Sequence, residues 1–203
     1  MCLWLSKKIL NDCRGGSRTA RPNICGNQIV HKENRILKRR SIRLKEYDYS
    51  QAGGYFVTIC TENRKSIFGE IIHGSVQLNK SGSIIAATWP WLSGQYPYVK
   101  LDVWVVMPNH FHGIVFLFND PMGGSRTAPT KTKSLGRLIG AFKTVSTKRI
   151  NEIHRTPAQP VWQRNYYEHV IRNETDLDEI REYIQNNPLK WLEDENHPSK
   201  MGK

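Results

Sequence analysis

The chain has 203 residues and a net charge of +12 at pH 7, and its hydrophobic content of 38% suits one globular domain with a core. Its longest apolar run, residues 113–118, is far shorter than the roughly 18 residues that a membrane span requires, which argues against a membrane protein. The N-terminal residues lack the charge order of a secretory signal, so we expect a cytoplasmic protein.

The positive charge is concentrated near the N-terminus. Residues 1–45 contain 12 Lys and Arg against two acids, whereas residues 46–203 contain 18 against 16. We therefore expect residues 1–40 to form a basic, disordered arm, and nucleic acid is the commonest partner of such an arm. A solvated leader without a binding role is the alternative that charge alone leaves open.

Strands and helices alternate along the rest of the chain. Residues 54–61 and two short runs within residues 67–78 are rich in β-formers, and they predict a strand followed by a hairpin. A helix is expected from about Ser81 to Ser93, although Pro90 should kink it or end it early. Residues 103–118 then form two strongly β-prone runs that are joined by a Pro-Asn turn.

The second half of the chain contains the clearest helix. Apolar residues recur on one helical face from Ser134 to about Asn151, and a strand within residues 161–172 follows. A final helix should begin near Thr175, which resembles a capping box with Asp178, and should end at Asn187 because proline follows. These elements predict an α+β domain with a ferredoxin-like or RRM-like antiparallel sheet and helices packed on one face.

Two histidines open the strand that follows the Pro-Asn turn. Residues two apart in a strand share a face, so His110 and His112 should project together and could chelate one divalent ion. The alternative is a pair of hydrogen-bonded, half-buried histidines without a metal, and a bare H-x-H by itself favours that alternative.

The final helix presents a phenol and an amide together. Tyr183 and Asn187 lie one turn apart, at the edge of an apolar stripe. Taken alone, this helix is also compatible with a tyrosine that packs on the sheet and keeps its hydroxyl in water.

The histidine strand and the final helix resemble a known pair of motifs. The run V-V-M-P-N-H-F-H-G-I-V, followed later by E-Y-I-Q-N-N-P, resembles the single-tyrosine HUH transposases, especially the branch of REP-associated tyrosine transposases. The resemblance extends over about residues 41–192, and it includes W-Q-R-N-Y-Y-E-H at 162–169 and the strand at 55–61.

The resemblance implies a metal-dependent DNA endonuclease and strand transferase. Such an enzyme cuts single-stranded or hairpin palindromic DNA through a covalent 5′-phosphotyrosine, as a monomer or a homodimer. By motif position Tyr183 would be the nucleophile, and His110, His112 and Asn187 would be the metal ligands. Two imidazoles and an amide oxygen leave coordination positions open, so we expect Mg²⁺ or Mn²⁺ as the cofactor.

A second basic stretch lies between Asp120 and Glu152, where seven Lys and Arg occur without an acid. Candidate DNA phosphate contacts in this stretch are Arg137, Lys143, Lys148 and Arg149, and a solvated helix face is the alternative. The expected domain organisation is an arm at 1–40, a transposase domain at 41–192 with an inserted loop at 119–133, and a C-terminal tail at 193–203.

Two other functions are compatible with these features. One is a non-catalytic, RRM-like nucleic-acid-binding protein in which exposed aromatic residues such as Tyr55 or Phe111 stack on bases. The other is a metallohydrolase of small phosphoesters, in which water attacks and Tyr183 is dispensable.

The run Gly-Gly-Ser-Arg-Thr-Ala occurs at 15–20 and again at 123–128. The eight residues 123–130 can be encoded by a perfect inverted repeat. Our hypothesis is that both runs are translated copies of a mobile palindrome, and a chance repeat of a linker-like run is the alternative. Codons that cannot pair across each run would exclude the hypothesis.

Overall fold

The computed structural model describes residues 47–119 and 133–200. The strands are β1 (Gly53–Cys60), β2 (Gly69–Ile72), β3 (Ser75–Leu78), β4 (Val99–Val106), β5 (His110–Leu117) and β6 (Tyr167–Ile171). The helices are α1 (Lys80–Gln95), α2 (Leu135–His154) and α3 (Glu174–Asn186), and short 3-10 helices lie at Glu62–Arg64, Trp191–Glu193 and Pro198–Lys200. The predicted arm, both Gly-Gly-Ser-Arg-Thr-Ala runs and nearly all of the predicted inserted loop lie outside the described residues.

The main sheet has four strands in the order β4-β5-β1-β6, and β1 is antiparallel to both of its neighbours. Strands β2 and β3 form the separate hairpin that the sequence predicts. In the central pair, Cys60 lies opposite His110 and Thr58 lies opposite His112. The prediction of an α+β domain with an antiparallel sheet is confirmed.

Helices cover both faces of the sheet. Tyr55, Val57 and Ile59 of β1 pack into the core that α1 and α2 cover, whereas Phe56 packs with Ile180 and the other buried residues of α3. The prediction that all helices pack on one face is therefore wrong for α3. The physical reason is that residues 54–60 are all buried, and a central strand that is apolar on both faces must be covered on both.

Several boundaries differ from the predicted ones. Of the two effects expected of Pro90, an early end of the helix is wrong, because helix α1 continues through Pro90 to Gln95. Of the strand predicted at 161–172, only the second half forms a strand, which is β6. Residues 161–166 instead follow an irregular path along the end of β1. The cap of α3 is Asn173, whose side chain accepts a hydrogen bond from the backbone of Asp176, so the predicted capping box is wrong as well. Among the described residues, no helix is long and apolar enough to cross a membrane.

Candidate active site

The two histidines meet in the interior of the protein. Both side chains are fully buried, and their Nε2 atoms lie 3.0 Å apart. The Nδ1 atom of His110 lies 2.8 Å from Asn109 Oδ1, which can only accept, so Nδ1 donates and Nε2 carries a lone pair. The Nδ1 atom of His112 lies 2.8 Å from the hydroxyl of Thr58, which can donate or accept. His112 can therefore donate from Nε2 to His110, or direct a second lone pair at the same point.

Burial keeps both imidazoles neutral. It lowers the pKa of His110 to about 3, and the positive charge of Arg64 acts in the same direction. The pKa of His112 lies well below its usual range, because of burial and of the neighbouring His110. Neutral imidazole is the form that binds metals, so the pair is ready to act as ligands at neutral pH.

An acidic side chain completes this cluster. A carboxylate oxygen of Asp194 and one ring nitrogen from each histidine all lie within 4.8 Å of one another, close enough to bind one metal ion. Asp194 is buried, and it accepts hydrogen bonds from the backbone of Asn196 and from Asn187 Nδ2. Sequence analysis missed this residue, because it lies beyond the end of α3, where no periodic pattern links it to the histidines.

Asn187 lies at the edge of the same cluster. It is buried, and its Oδ1 atom has no hydrogen-bond partner in the described part of the chain. A buried carbonyl oxygen without a partner costs about 1–3 kcal/mol, and a cation could satisfy it. The available donor set is thus two neutral imidazoles, one carboxylate and one amide oxygen, which fits a divalent ion.

Tyr183 lies on the same face of the sheet as the two histidines. Its ring centroid is 5.3 Å from that of His112 and 6.0 Å from that of Phe56. Helix α3 holds it there, because Leu177, Ile180 and Ile184 on that helix are buried. Burial raises the pKa of Tyr183, as do the nearby charges of Asp194 and Glu195, against a smaller opposing contribution from Asn187. The phenol is therefore protonated at neutral pH.

The four predicted DNA contacts are not part of this cluster. All four belong to α2, on the opposite face of the sheet. Lys143 Nζ donates to backbone carbonyls at 163 and 165, Arg149 donates to the hydroxyl of Thr88, and Lys148 lies 3.9 Å from Glu152. Arg137 is exposed.

The two aromatic residues that were predicted to stack on bases are unavailable for that purpose. Tyr55 and Phe111 are both 0% exposed, since α1 and α2 cover their face of the sheet. The basis for a binding protein of the RRM type, with bases stacked on these two side chains, is thereby removed.

No protein-family model matches the chain. It is 39% identical over 173 residues to an uncharacterized protein of Haemophilus influenzae, covering 79% of this chain and 93% of that protein. It is also 28% identical over 145 residues to a second Haemophilus influenzae protein, whose name places it among the REP-associated tyrosine transposases, covering 70% of this chain and 74% of that protein.

The fold agrees with these relatives. A solved structure of a REP-associated tyrosine transposase bound to a REP hairpin matches with a TM-score of 0.51 and 20% identity, covering 73% of each chain. The chain is thus similar in sequence to a REP-associated tyrosine transposase and shares the fold of another. The resemblance predicted from the histidine and tyrosine motifs is confirmed. The contact between the H-x-H strand and the helix of Tyr183 is observed in this chain itself and does not depend on the comparison.

Proposed function

We infer that this chain is a metal-dependent DNA endonuclease and strand transferase that cuts single-stranded or hairpin palindromic DNA through a covalent 5′-phosphotyrosine at Tyr183. The observation that carries the proposal is that two buried, neutral histidines and the Tyr183 ring converge on one face of the sheet, beside Asp194 and Asn187. Hairpin DNA as substrate is supported by the related transposase that was solved with a REP hairpin.

In the proposed reaction the phenolic oxygen of Tyr183 attacks the phosphorus of a phosphodiester. The O–H proton leaves the phenol, a new O–P bond forms, and the bond from phosphorus to the 3′ oxygen breaks. The 3′ oxygen takes up a proton and becomes a free hydroxyl. Attack by such a hydroxyl on the phosphotyrosine reverses the step and joins strands, so no nucleotide cofactor is required.

His110, His112, Asn187 and Asp194 are the residues that would hold the metal. A bound divalent ion would neutralise charge on the non-bridging phosphate oxygens. The donor set of two imidazoles, one carboxylate and one amide oxygen supports Mg²⁺ or Mn²⁺ as the ion.

Three further expectations belong to this proposal. The strand order β4-β5-β1-β6, with α1 and α2 on one face, supports the ferredoxin-like form of the sheet. The predicted domain boundaries are retained, with the addition that Asp194 and Asn196 of the predicted C-terminal tail are buried at the site. A cytoplasmic location and a monomeric or homodimeric state remain predictions.

The test is formation of a covalent adduct. A labelled oligonucleotide that folds into a hairpin with single-stranded flanks is incubated with the protein and Mn²⁺, and DNA-linked protein is detected by denaturing electrophoresis. We expect an adduct with the wild type, none with Tyr183→Phe and none with EDTA, while hairpin affinity changes by less than about two-fold. Tyr96→Phe, at a half-buried tyrosine just after α1, is the matched control and should form the adduct.

An adduct that persists in Tyr183→Phe would exclude Tyr183 as the nucleophile. Phosphoester hydrolysis that is unaffected by Tyr183→Phe would instead favour the metallohydrolase. DNA binding without any metal-dependent adduct in the wild type would favour a binding protein.

A further inference from the structure

A cleft lies between α2 and the irregular segment that follows it. None of the residues in the proposed reaction lines this cleft. Its volume is about 870 Å³, within the range of about 300–1,000 Å³ that is typical of ligand sites. One wall is the C-terminal half of α2, and the other is formed by residues 155–164. We call it the α2 cleft.

The charged residues of the α2 cleft are predominantly basic. The cations that line it are Lys143, Lys148, Arg155 and Arg164, and the acid is Glu152. Lys143 donates to backbone carbonyls and lies over the ring of Tyr166, and Lys148 lies 3.9 Å from Glu152. Because four cations face one acid, the α2 cleft is complementary to a polyanion.

The wall opposite α2 is largely apolar. It contains Pro157 and Pro160, which are exposed, and Val161 and Trp162, which are almost completely buried in the core. Exposed prolines beside a basic rim can contact the bases of a single strand while the cations hold its phosphates, whereas a duplex hides its base faces. This combination favours single-stranded over double-stranded nucleic acid.

The two walls are firmly joined. Trp162 Nε1 donates to Ser146 Oγ at 2.9 Å, and Asn151 Nδ2 donates to the carbonyl of Gln159 at 2.9 Å. Lys143 Nζ holds the carbonyls at 163 and 165, each at 2.9 Å. The α2 cleft is therefore preformed, and a ligand need not order it.

Arg155 occupies a position that favours glycine. It caps the C-terminus of α2 with φ +53°, and Ala158 in the same wall has φ +62°. A left-handed conformation costs a non-glycine residue roughly 1 kcal/mol, and such strain is often found at ligand-binding segments. Arg155 thus places a cation at the rim of the cleft, in a backbone conformation that would cost less free energy for glycine.

The α2 cleft adjoins the end of the sheet where the histidines begin. The backbone N–H of Gln163 donates to the carbonyl of Cys60, and Cys60 pairs with His110. A strand in the cleft could therefore pass around this end of the sheet toward the face that holds Tyr183.

We propose that the α2 cleft binds a single-stranded segment of the DNA substrate, with phosphates at Lys148, Arg155 and Arg164 and bases against the exposed prolines Pro157 and Pro160. The inference rests on the proposed function in taking DNA as the ligand. The segment it binds is one that flanks the cleaved phosphodiester, since the cleft and Tyr183 lie on opposite faces.

The test is the affinity of a fluorescein-labelled oligothymidylate of about a dozen nucleotides, measured by anisotropy in EDTA so that cleavage cannot contribute. We expect Arg155→Gly with Arg164→Ala to weaken binding at least about ten-fold, and to reduce the salt slope by about 1.4, since each single-strand phosphate contact contributes about 0.7. Glycine suits the backbone at 155, so this variant should fold. Glu152→Gln should strengthen binding several-fold.

The matched control is Lys100→Ala with Arg172→Ala. It removes two exposed cations from the opposite end of the sheet, and its affinity should stay within about two-fold of the wild type. Equal losses in the control and the cleft variant would overturn the inference, as would an unchanged cleft variant or a loss seen only with a blunt duplex. The adduct assay tests the proposed function separately. Binding that depends on the cleft, in a protein that forms no adduct, would support the DNA-binding role of the α2 cleft and contradict the proposed nuclease activity.

Discussion

At the scale of single residues, each site histidine has a hydrogen-bond partner on the nitrogen that faces away from the other histidine. Asn109 is the partner of His110, and its own amide donates to the carbonyls of Arg64 and Asn196. Thr58 is the partner of His112. Such partners fix the ring orientation of a ligand, and Asn109 also fixes the tautomer of His110, so Asn109 and Thr58 are positioning residues in the proposed metal site.

Replacement of Thr58 by valine should weaken metal binding without removing a ligand. Valine has a similar shape but cannot accept the Nδ1 proton of His112, so we expect Mn²⁺ affinity, measured by calorimetry, to fall about ten- to hundred-fold. Thr88→Val is the matched control, since Thr88 is equally buried but lies in α1 on the other face of the sheet. Equal Mn²⁺ affinities for the Thr58→Val variant and the wild type would contradict this assignment.

At the scale of elements, α3 determines where the tyrosine is. Its buried stripe packs against the sheet, Arg181 Nη2 lies 2.6 Å from Asp102 of β4, and Asn173 caps its first turn. A tyrosine and an asparagine one turn apart then face the histidine strand together. The position of the proposed nucleophile thus depends on the anchoring of one thirteen-residue helix.

Loss of the cap should destabilise the protein measurably. Asn173→Ala removes the acceptor for the backbone N–H of Asp176, and we expect the free energy of unfolding in urea to fall by about 1 kcal/mol. Gln185→Ala, at an exposed position of the same helix, should change it by less than about 0.5 kcal/mol. A loss that is no larger for Asn173→Ala would mean that the cap contributes nothing to stability.

The existence of most elements could be predicted from the sequence, because hydrophobic periodicity is a local property. Residues 161–166 could not be assigned correctly, since their backbone hydrogen bonds run to Cys60 and Glu62, which are distant in the chain. The cap of α3 was misplaced by two residues, because Asn173 and Thr175 are both acceptable caps and only the fold selects one.

At the scale of the whole molecule, burial couples the histidines to folding. The fold keeps His110 and His112 neutral, whereas an exposed histidine in the unfolded chain has a pKa of about 6.5. The unfolded state therefore binds more protons than the folded state from pH 6.5 down to about 3. Glu195 opposes this, because burial and the charge of Asp194 raise its pKa to about 7, so the folded state retains its proton.

Stability without metal should therefore fall as the pH decreases from 7 to 5. Two histidines outweigh one carboxyl group, so we expect the free energy of unfolding in urea and EDTA to decrease by roughly 1 kcal/mol per pH unit. Glu195→Gln removes the opposing group and should make the decrease steeper. A stability that rises over this range in both proteins would contradict the neutral, buried state of the histidines.

The sequence by itself indicated the resemblance to REP-associated tyrosine transposases through its motifs. It also determined the antiparallel sheet, the shared face of His110 and His112, and the one-turn spacing of Tyr183 and Asn187, because strand and helix periods fix these relations locally. Only the tertiary structure decided that α3 packs on the histidine face, that Asp194 joins the cluster, and that the basic residues of α2 line a cleft on the other face. The physical reason is that these relations depend on which surfaces pack against one another. That packing is determined by contacts between residues that are far apart in the chain.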